Sequence, residues 1–275
     1  MHNAATAAAL AEGRAGGAGM ETHMPVKHRA RPGAALAALM ACAALGPGSA
    51  AASIVINATR VVYPERESEV TVKLDNNGRS PALVQAWIDG GDLTATPDES
   101  TAPFTLTPPL FRLDPGKGQS LRLFHTREAQ PQDRESLFWL NVLEVPPKAA
   151  GNDRRNALRL AFRTRIKLFF RPAALAGAAR DAPGSVTWRF ARGGTGYVLR
   201  ASNPSAYHVT FSRIVARAGG ETWSNDEGGM VDPGASADFP LGLLAAPPAG
   251  PFSVEYRYLD DFGGSQDGAY QAPPR

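Results

Sequence analysis

What the chain has little of narrows its function first. It carries one cysteine, Cys42, and five histidines, of which His2, His23 and His28 fall within the first 52 residues. From Ser53 onward there is no cysteine, so no disulfide can staple that part of the chain. His125 and His208 remain there, and neither stands at metal-ligand spacing from another histidine or a cysteine. Asp260 and Asp261 are immediate neighbours in a turn-like stretch, a poor arrangement for two carboxylates meant to work as acid and base. No glycine-rich loop lies between a strand pattern and a helix pattern, so a phosphate cradle is missing as well. These absences predict no catalysis, no cofactor and no metal. Charge excess is also lacking. The chain has 29 Lys+Arg against 26 Asp+Glu, and without the four basic and two acidic residues of the first 52 the balance is about +1. That is too little for a nucleic-acid partner. Finally, the apolar run at 34–45 (AALAALMACAAL) has 12 residues, short of the ~20 that span a bilayer.

That run has a different meaning. Lys27, Arg29 and Arg31 precede it, Gly46-Pro47-Gly48 breaks it, and Ala50-Ala51-Ala52 follows it. Basic segment, apolar segment and small-residue site are the pattern of a secretory signal peptide. Residues 1–23, rich in Ala and Gly without periodicity, read as an unstructured extension or an unused upstream start, with Met20 and Met24 as alternative starts. Cleavage near Ala52 is expected, leaving no membrane span in the mature chain. Residues 53–275 then suit two domains of about 110 residues each.

What is present there is strand pattern. Residues 69–76 (EVTVKLDN), 82–89 (ALVQAWID) and 120–126 (SLRLFHT) alternate at period 2, and 53–63 (SIVINATRVVY) is β-branched. Residues 137–145 (LFWLNVLEV) are nearly continuously apolar, as a central strand would be. Trp87 is a candidate core anchor. Asn76-Asn77-Gly78 and Asp114-Pro115-Gly116 are turns. Beyond a linker at 173–183, residues 185–190, 196–202, 207–215 and 252–259 continue the style. Short strands with Gly/Pro/Asn turns predict an all-β chain of two sandwiches.

One stretch stands out. Residues 156–172 (NALRLAFRTRIKLFFRP) alternate throughout, with Leu158, Leu160, Phe162, Thr164, Ile166, Leu168 and Phe170 on one face and mainly Arg and Lys on the other. Such a run exceeds the usual ~5–6 residues of a strand, and Pro172 ends it. Its apolar face is either ordinary core or an edge kept open for a partner, since exposed apolar edges are otherwise hidden. The basic face reads as solvated surface.

Several motifs carry a resemblance. Thr59-Arg60-Val61-Val62-Tyr63-Pro64, Gln85-Ala86-Trp87-Ile88, Thr107-Pro108-Pro109, the run 131–139 (PQDRESLFW) with Asn141 and Pro146-Pro147, and the run 166–172 (IKLFFRP) come in order. Asn203-Pro204-Ser205-Ala206-Tyr207 and 259–264 (LDDFGG) extend them more loosely. Together they resemble the periplasmic pilus (fimbrial) chaperones of the chaperone–usher pathway, a family known for its sandwich architecture and donor-strand binding. The resemblance implies two immunoglobulin-like β-sandwich domains, 53–172 and 173–275, set at an angle with a cleft between them. It implies periplasmic location, pilus subunits with incomplete sandwiches as partners, and handover to an outer-membrane usher. Arg60 and Lys167 would anchor the subunit's C-terminal carboxylate. Leu158, Leu160 and Phe162 would be the donor-strand side chains. Glu135, Arg171 and Asp261 would form an interdomain ion cluster. The cysteine-free loop 148–155 is similar to that of the short-loop members. Weak self-association is expected to shield the open edge of the free protein. The alternative from another class is a secreted structural or adhesive two-domain sandwich without chaperone activity, whose long strand would be covered within its own chain.

Overall fold

Two separate cores form, one on each side of Pro172. The computed structural model describes residues 53–147, 160–194, 196–242 and 244–273. The signal segment, Leu158 and the loop 148–155 lie outside them.

The first sandwich has a sheet in the order β1 (Ile54–Ile56), β3 (Val70–Asn76), β7 (Gly118–His125), β5 (Phe104–Thr107). Facing it is a sheet in the order β2 (Arg60–Pro64), β9 (Phe162–Arg171), β8 (Ser136–Val145), β4 (Ala82–Asp89), β6 (Leu110–Leu113). Alternate residues of both sheets point inward, and Leu74, Val84, Leu121, Leu123, Leu140 and Leu168 are fully buried between them. The second sandwich stacks β10 (Thr187–Arg192), β11 (Tyr197–Ser202) and β15 (Ser236–Pro240) on a sheet of β13 (Glu221–Asn225), β12 (Val209–Ala218), β16 (Phe252–Leu259) and β17 (Ser265–Gln271). A short β14 (Gly229–Val231) also pairs with β12. Its core is aromatic: Trp188 lies within 5.0–5.9 Å of Phe211, Tyr256 and Phe239 between ring centroids.

Four sequence readings change. The segment 53–63 is two strands, not one. Its backbone crosses between the sheets at Asn57–Thr59, so β1 pairs antiparallel with β3 while β2 pairs parallel with β9. Trp87 is buried, but on the outer face of β4, outside the core. Period 2 separates the faces of a strand without saying which is covered, and Arg163 lies over the Trp87 ring at 4.7 Å. The segment 173–183 is no free linker, because Leu175 and Ala179 pack on the second core and Ala182–Ser185 is a helical turn. Last, of the strand expected over 156–172, Leu160 and Ala161 precede the observed strand, which starts at Phe162, and 156–159 lie outside the described residues. Glu144↔Phe162 is the last pair of β8 with β9, and Pro146-Pro147, without amide donors, end β8 just beyond it.

Candidate functional site

β9 has two different halves. From Lys167 to Arg171 it lies between β2 and β8. From Phe162 to Ile166 it pairs with β8 alone, and among the described residues nothing pairs with its other side. No described strand therefore uses the backbone groups of that side. On the face shared with the core, Phe162 is half-buried, whereas Ile166, Leu168 and Phe170 are buried. Leu160, just before the strand, is 51% exposed.

Where the unpaired half meets the paired half stand the two cations. Parallel pairing sets Arg60 directly opposite Lys167. Neither makes a salt bridge with a described carboxylate. The Lys167 Nζ lies 3.2 Å from the Met230 thioether sulfur and 5.9 Å from the Trp139 ring centroid. Arg60 donates through one η nitrogen to the Leu259 carbonyl at 3.3 Å, and its buried Nε has no partner. Burial, and then the neighbouring Arg60, push the Lys167 ammonium below the ordinary lysine value, with Asp232 partly opposing. Burial likewise lowers Arg60, against the charges of Asp261, Asp260 and Glu135. Two adjacent, partly desolvated cations with spare donors make a receptor for an anion, and a carboxylate has the charge and lone pairs to fill it.

At the end of β9 the charges are already matched. Arg171 donates through Nε to Glu135 at 2.7 Å and through both η nitrogens to Asp261 at 2.7 and 2.8 Å. Glu135 is buried, and its other oxygen accepts from the His208 backbone N–H at 2.8 Å. Burial works against the Arg171 charge, but hydrogen bonds to Asp261 and the charges of Glu135 and Asp261 outweigh it and hold the guanidinium above its ordinary value. These side chains come from β9, the loop before β8, and the second sandwich, so the cluster ties the two sandwiches together. The Phe169 ring adds to the tie, 5.2 Å from His208 and beneath Arg60 at 5.9 Å.

The basic face of β9 is not a free solvated surface. Asp89, 1% exposed, accepts from Arg165, from Asn141 at 2.7 Å and from the Gly91 N–H at 2.7 Å, with Arg163 at 3.5 Å. Arg163 also reaches the carbonyl of Leu93 at 2.8 Å, in the loop after β4. Period 2 marks these arginines as one face, but nothing local reveals the aspartate roughly 75 residues back that neutralises them. Farther from the cations this outer face turns apolar, with Leu83, Leu110 and Val145 exposed on adjacent strands.

Comparison with known proteins bears on the family and the fold. Residues 53–176 match the family model for the pili and flagellar-assembly chaperone, PapD N-terminal domain, and residues 181–270 the pili assembly chaperone PapD, C-terminal domain. The chain belongs to the pilus-assembly chaperone family. The chaperone protein FimB/FhaD of Bordetella pertussis is 45% identical over 235 residues, covering 84% of this chain and 92% of that one. The crystal structure of the YadV chaperone superposes with a TM-score of 0.69 at 39% identity, over 80% of this chain and 100% of that one. The Salmonella enterica SafB chaperone, solved in complex with the SafA pilin, gives 0.65 at 28% identity over 82% and 99%. As a member of a chaperone family, the chain is a pilus chaperone of two immunoglobulin-like sandwiches, and the structural or adhesive alternative falls away.

Proposed function

We propose that the chain acts in the periplasm, after leader cleavage near Ala52, by lending the open side of β9 to a pilus subunit whose own sandwich lacks a strand. The carrying observation is the edge Phe162–Ile166, unpaired among the described residues and running directly from the opposed Arg60 and Lys167. In this reading the subunit's C-terminal carboxylate docks between the two cations. That fixes register, because a slip of one residue would turn every donor side chain to the wrong face. Leu158, Leu160 and Phe162 then enter the subunit's groove, each contributing on the order of 1.5–3 kcal/mol if fully buried. Main-chain pairing supplies affinity that depends little on sequence, so one chaperone serves several subunits. No bond is made or broken, so the chain is not an enzyme. Glu135, Arg171 and Asp261 set the angle between domains 53–172 and 173–275. The loop 148–155 is of the short type. The apolar outer face around Leu83, Leu110 and Val145 stays free when β9 is occupied, and we assign it to the outer-membrane usher. Without a subunit, the open edge pairs weakly with a second copy.

The deciding experiment is affinity capture from periplasm with wild type beside the double variant Arg60→Ala/Lys167→Ala. Wild type is expected to bring down a small β-rich secreted chain that the variant loses. Equal capture by both overturns the anchor assignment.

A further inference from the structure

Among the described residues the first sandwich buries three carboxylates, and one of them meets no arginine. Asp89 and Glu135 meet Arg165 and Arg171, whereas Glu144 meets no Lys or Arg among the described residues. Glu144 is on the inward face of β8 at its far end and is 8% exposed. It reaches across the sandwich to the start of the other sheet. One oxygen accepts from the Ser53 backbone N at 3.0 Å and the Ile54 N–H at 3.1 Å, and the other takes the Ser53 hydroxyl. The rest of Ser53 is held equally well. Its carbonyl accepts from the Asn77 N–H at 2.8 Å, and a Cβ at Gly78 would overlap the Ser53 side chain. This is a fitted seat for one small residue, built around a carboxylate that meets no counter-charge among the described residues. A buried carboxylate met only by neutral donors is poorly compensated, and a cation at the same place would compensate it.

We propose that this seat is the docking site for the chain's own processed N-terminus. The inference rests on the reading that the leader is removed after Ala52. Hydrolysis of the Ala52–Ser53 peptide adds water across the bond. The new carboxylate departs with the leader, and the amine stays on Ser53 and takes up a proton. A free α-amine has a pKa of about 7.7–8.0, so it is largely an ammonium at neutral pH. It arises where Ser53 N already points at Glu144. The precursor has an uncharged amide there, so cleavage itself completes the ion pair. Because Glu144 stands opposite Phe162 across the β8–β9 ladder, the pair ties β1 to the root of the donor strand. The fold is thereby tightest only after export and processing.

The test begins with intact mass and N-terminal sequencing of the periplasmic protein, which should start at Ser53; any other start overturns the cleavage reading and this inference with it. With that start established, Glu144→Gln is introduced into the chain beginning at Ser53 and into one beginning at Ala51, which moves the amine two residues away. Melting temperatures are compared for all four proteins. Glu144→Gln is expected to lower the Ser53-start melt by roughly 2–6 °C and the Ala51-start melt by less than half as much. Equal drops, or none, overturn the ion pair while leaving the cleavage reading intact. Should Glu144→Gln not fold, the two wild-type starts decide: Ser53-start must melt higher, and equal melts refute the pairing.

Discussion

The two halves of β9 have similar sequences and different surroundings. Leu168 and Phe170 are flanked by strands on both sides and buried in the core, while Leu160 and Phe162 continue the same face where one side of the strand meets no described partner. Alternation therefore does not distinguish a residue that holds the domain together from one left partly open. The neighbouring strand makes the difference. β2 is five residues long and begins at Arg60, so the lateral cover of β9 begins at Lys167. A short partner strand creates the open edge and places a cation at its end.

Substitutions can sharpen that contrast. The largest effect should come from Arg60→Ala or Lys167→Ala on subunit capture. Removing one side of a desolvated charge contact typically costs about 2–5 kcal/mol, or roughly 30- to 4,000-fold in affinity. The melting temperature of the free protein should hold or rise, since burial disfavours both charges and Arg60 further disfavours that of Lys167. Capture should also weaken as pH rises through the depressed pKa of Lys167, because only the protonated amine attracts the carboxylate.

Next comes the contrast within one face. Leu168→Ala should destabilise the free chain by about 2–5 kcal/mol. Phe162→Ala should change its stability by less than about 1 kcal/mol, yet impair subunit binding. Denaturant unfolding and titration with a subunit measure the two separately. If Phe162→Ala unfolds the free chain as readily as Leu168→Ala, the halves do not differ in duty.

Breaking the matched cluster should cost stability without touching the anion receptor. Arg171→Ala leaves Glu135 buried without its guanidinium, a loss of about 3–5 kcal/mol for a fully buried pair and less here, because Asp261 is partly exposed. Scattering from the free protein should report a wider range of interdomain angles. An unchanged profile would detach the cluster from domain orientation.

The smallest effect is a pH dependence of the first sandwich. His125 stacks on Phe170 at 4.4 Å and lies 5.0 Å from Phe104, and burial, opposed by Glu65 and Glu128, lowers its pKa. The unfolded chain then binds the proton more readily, so stability should fall as pH drops below the ordinary value of 6.5 and level off below the folded one. His125→Phe should flatten that slope in thermal melts across mild acid.

Much of the fold is legible in the amino-acid pattern. The alternation of β3, β4, β7 and β9 marks them as strands, and the ordered motifs point to the family. Other features depend on pairings that a one-dimensional pattern lacks. That Arg60 stands opposite Lys167 follows from a parallel pairing across 107 residues. The role of Asp89 is hidden because its arginines look like a solvated face from their own strand. His208 joins Glu135 mainly through a backbone N–H, a bond open to almost any residue. The strands β14, β15 and β17 are masked because Gly, Asp and Ser within them look like turn residues; β17, SQDGAYQ, is held by seven paired positions along β16 rather than by its own propensity.

The most direct test is amide hydrogen exchange along β9, with and without a bound subunit. The amides of Phe162–Ile166 that point away from β8 should exchange rapidly in the free chain and become protected in the complex, while those of Leu168–Phe170 stay protected throughout. If the Phe162–Ile166 amides are already protected in dilute free protein, or remain unprotected in the complex, β9 does not lend its edge and the central claim fails.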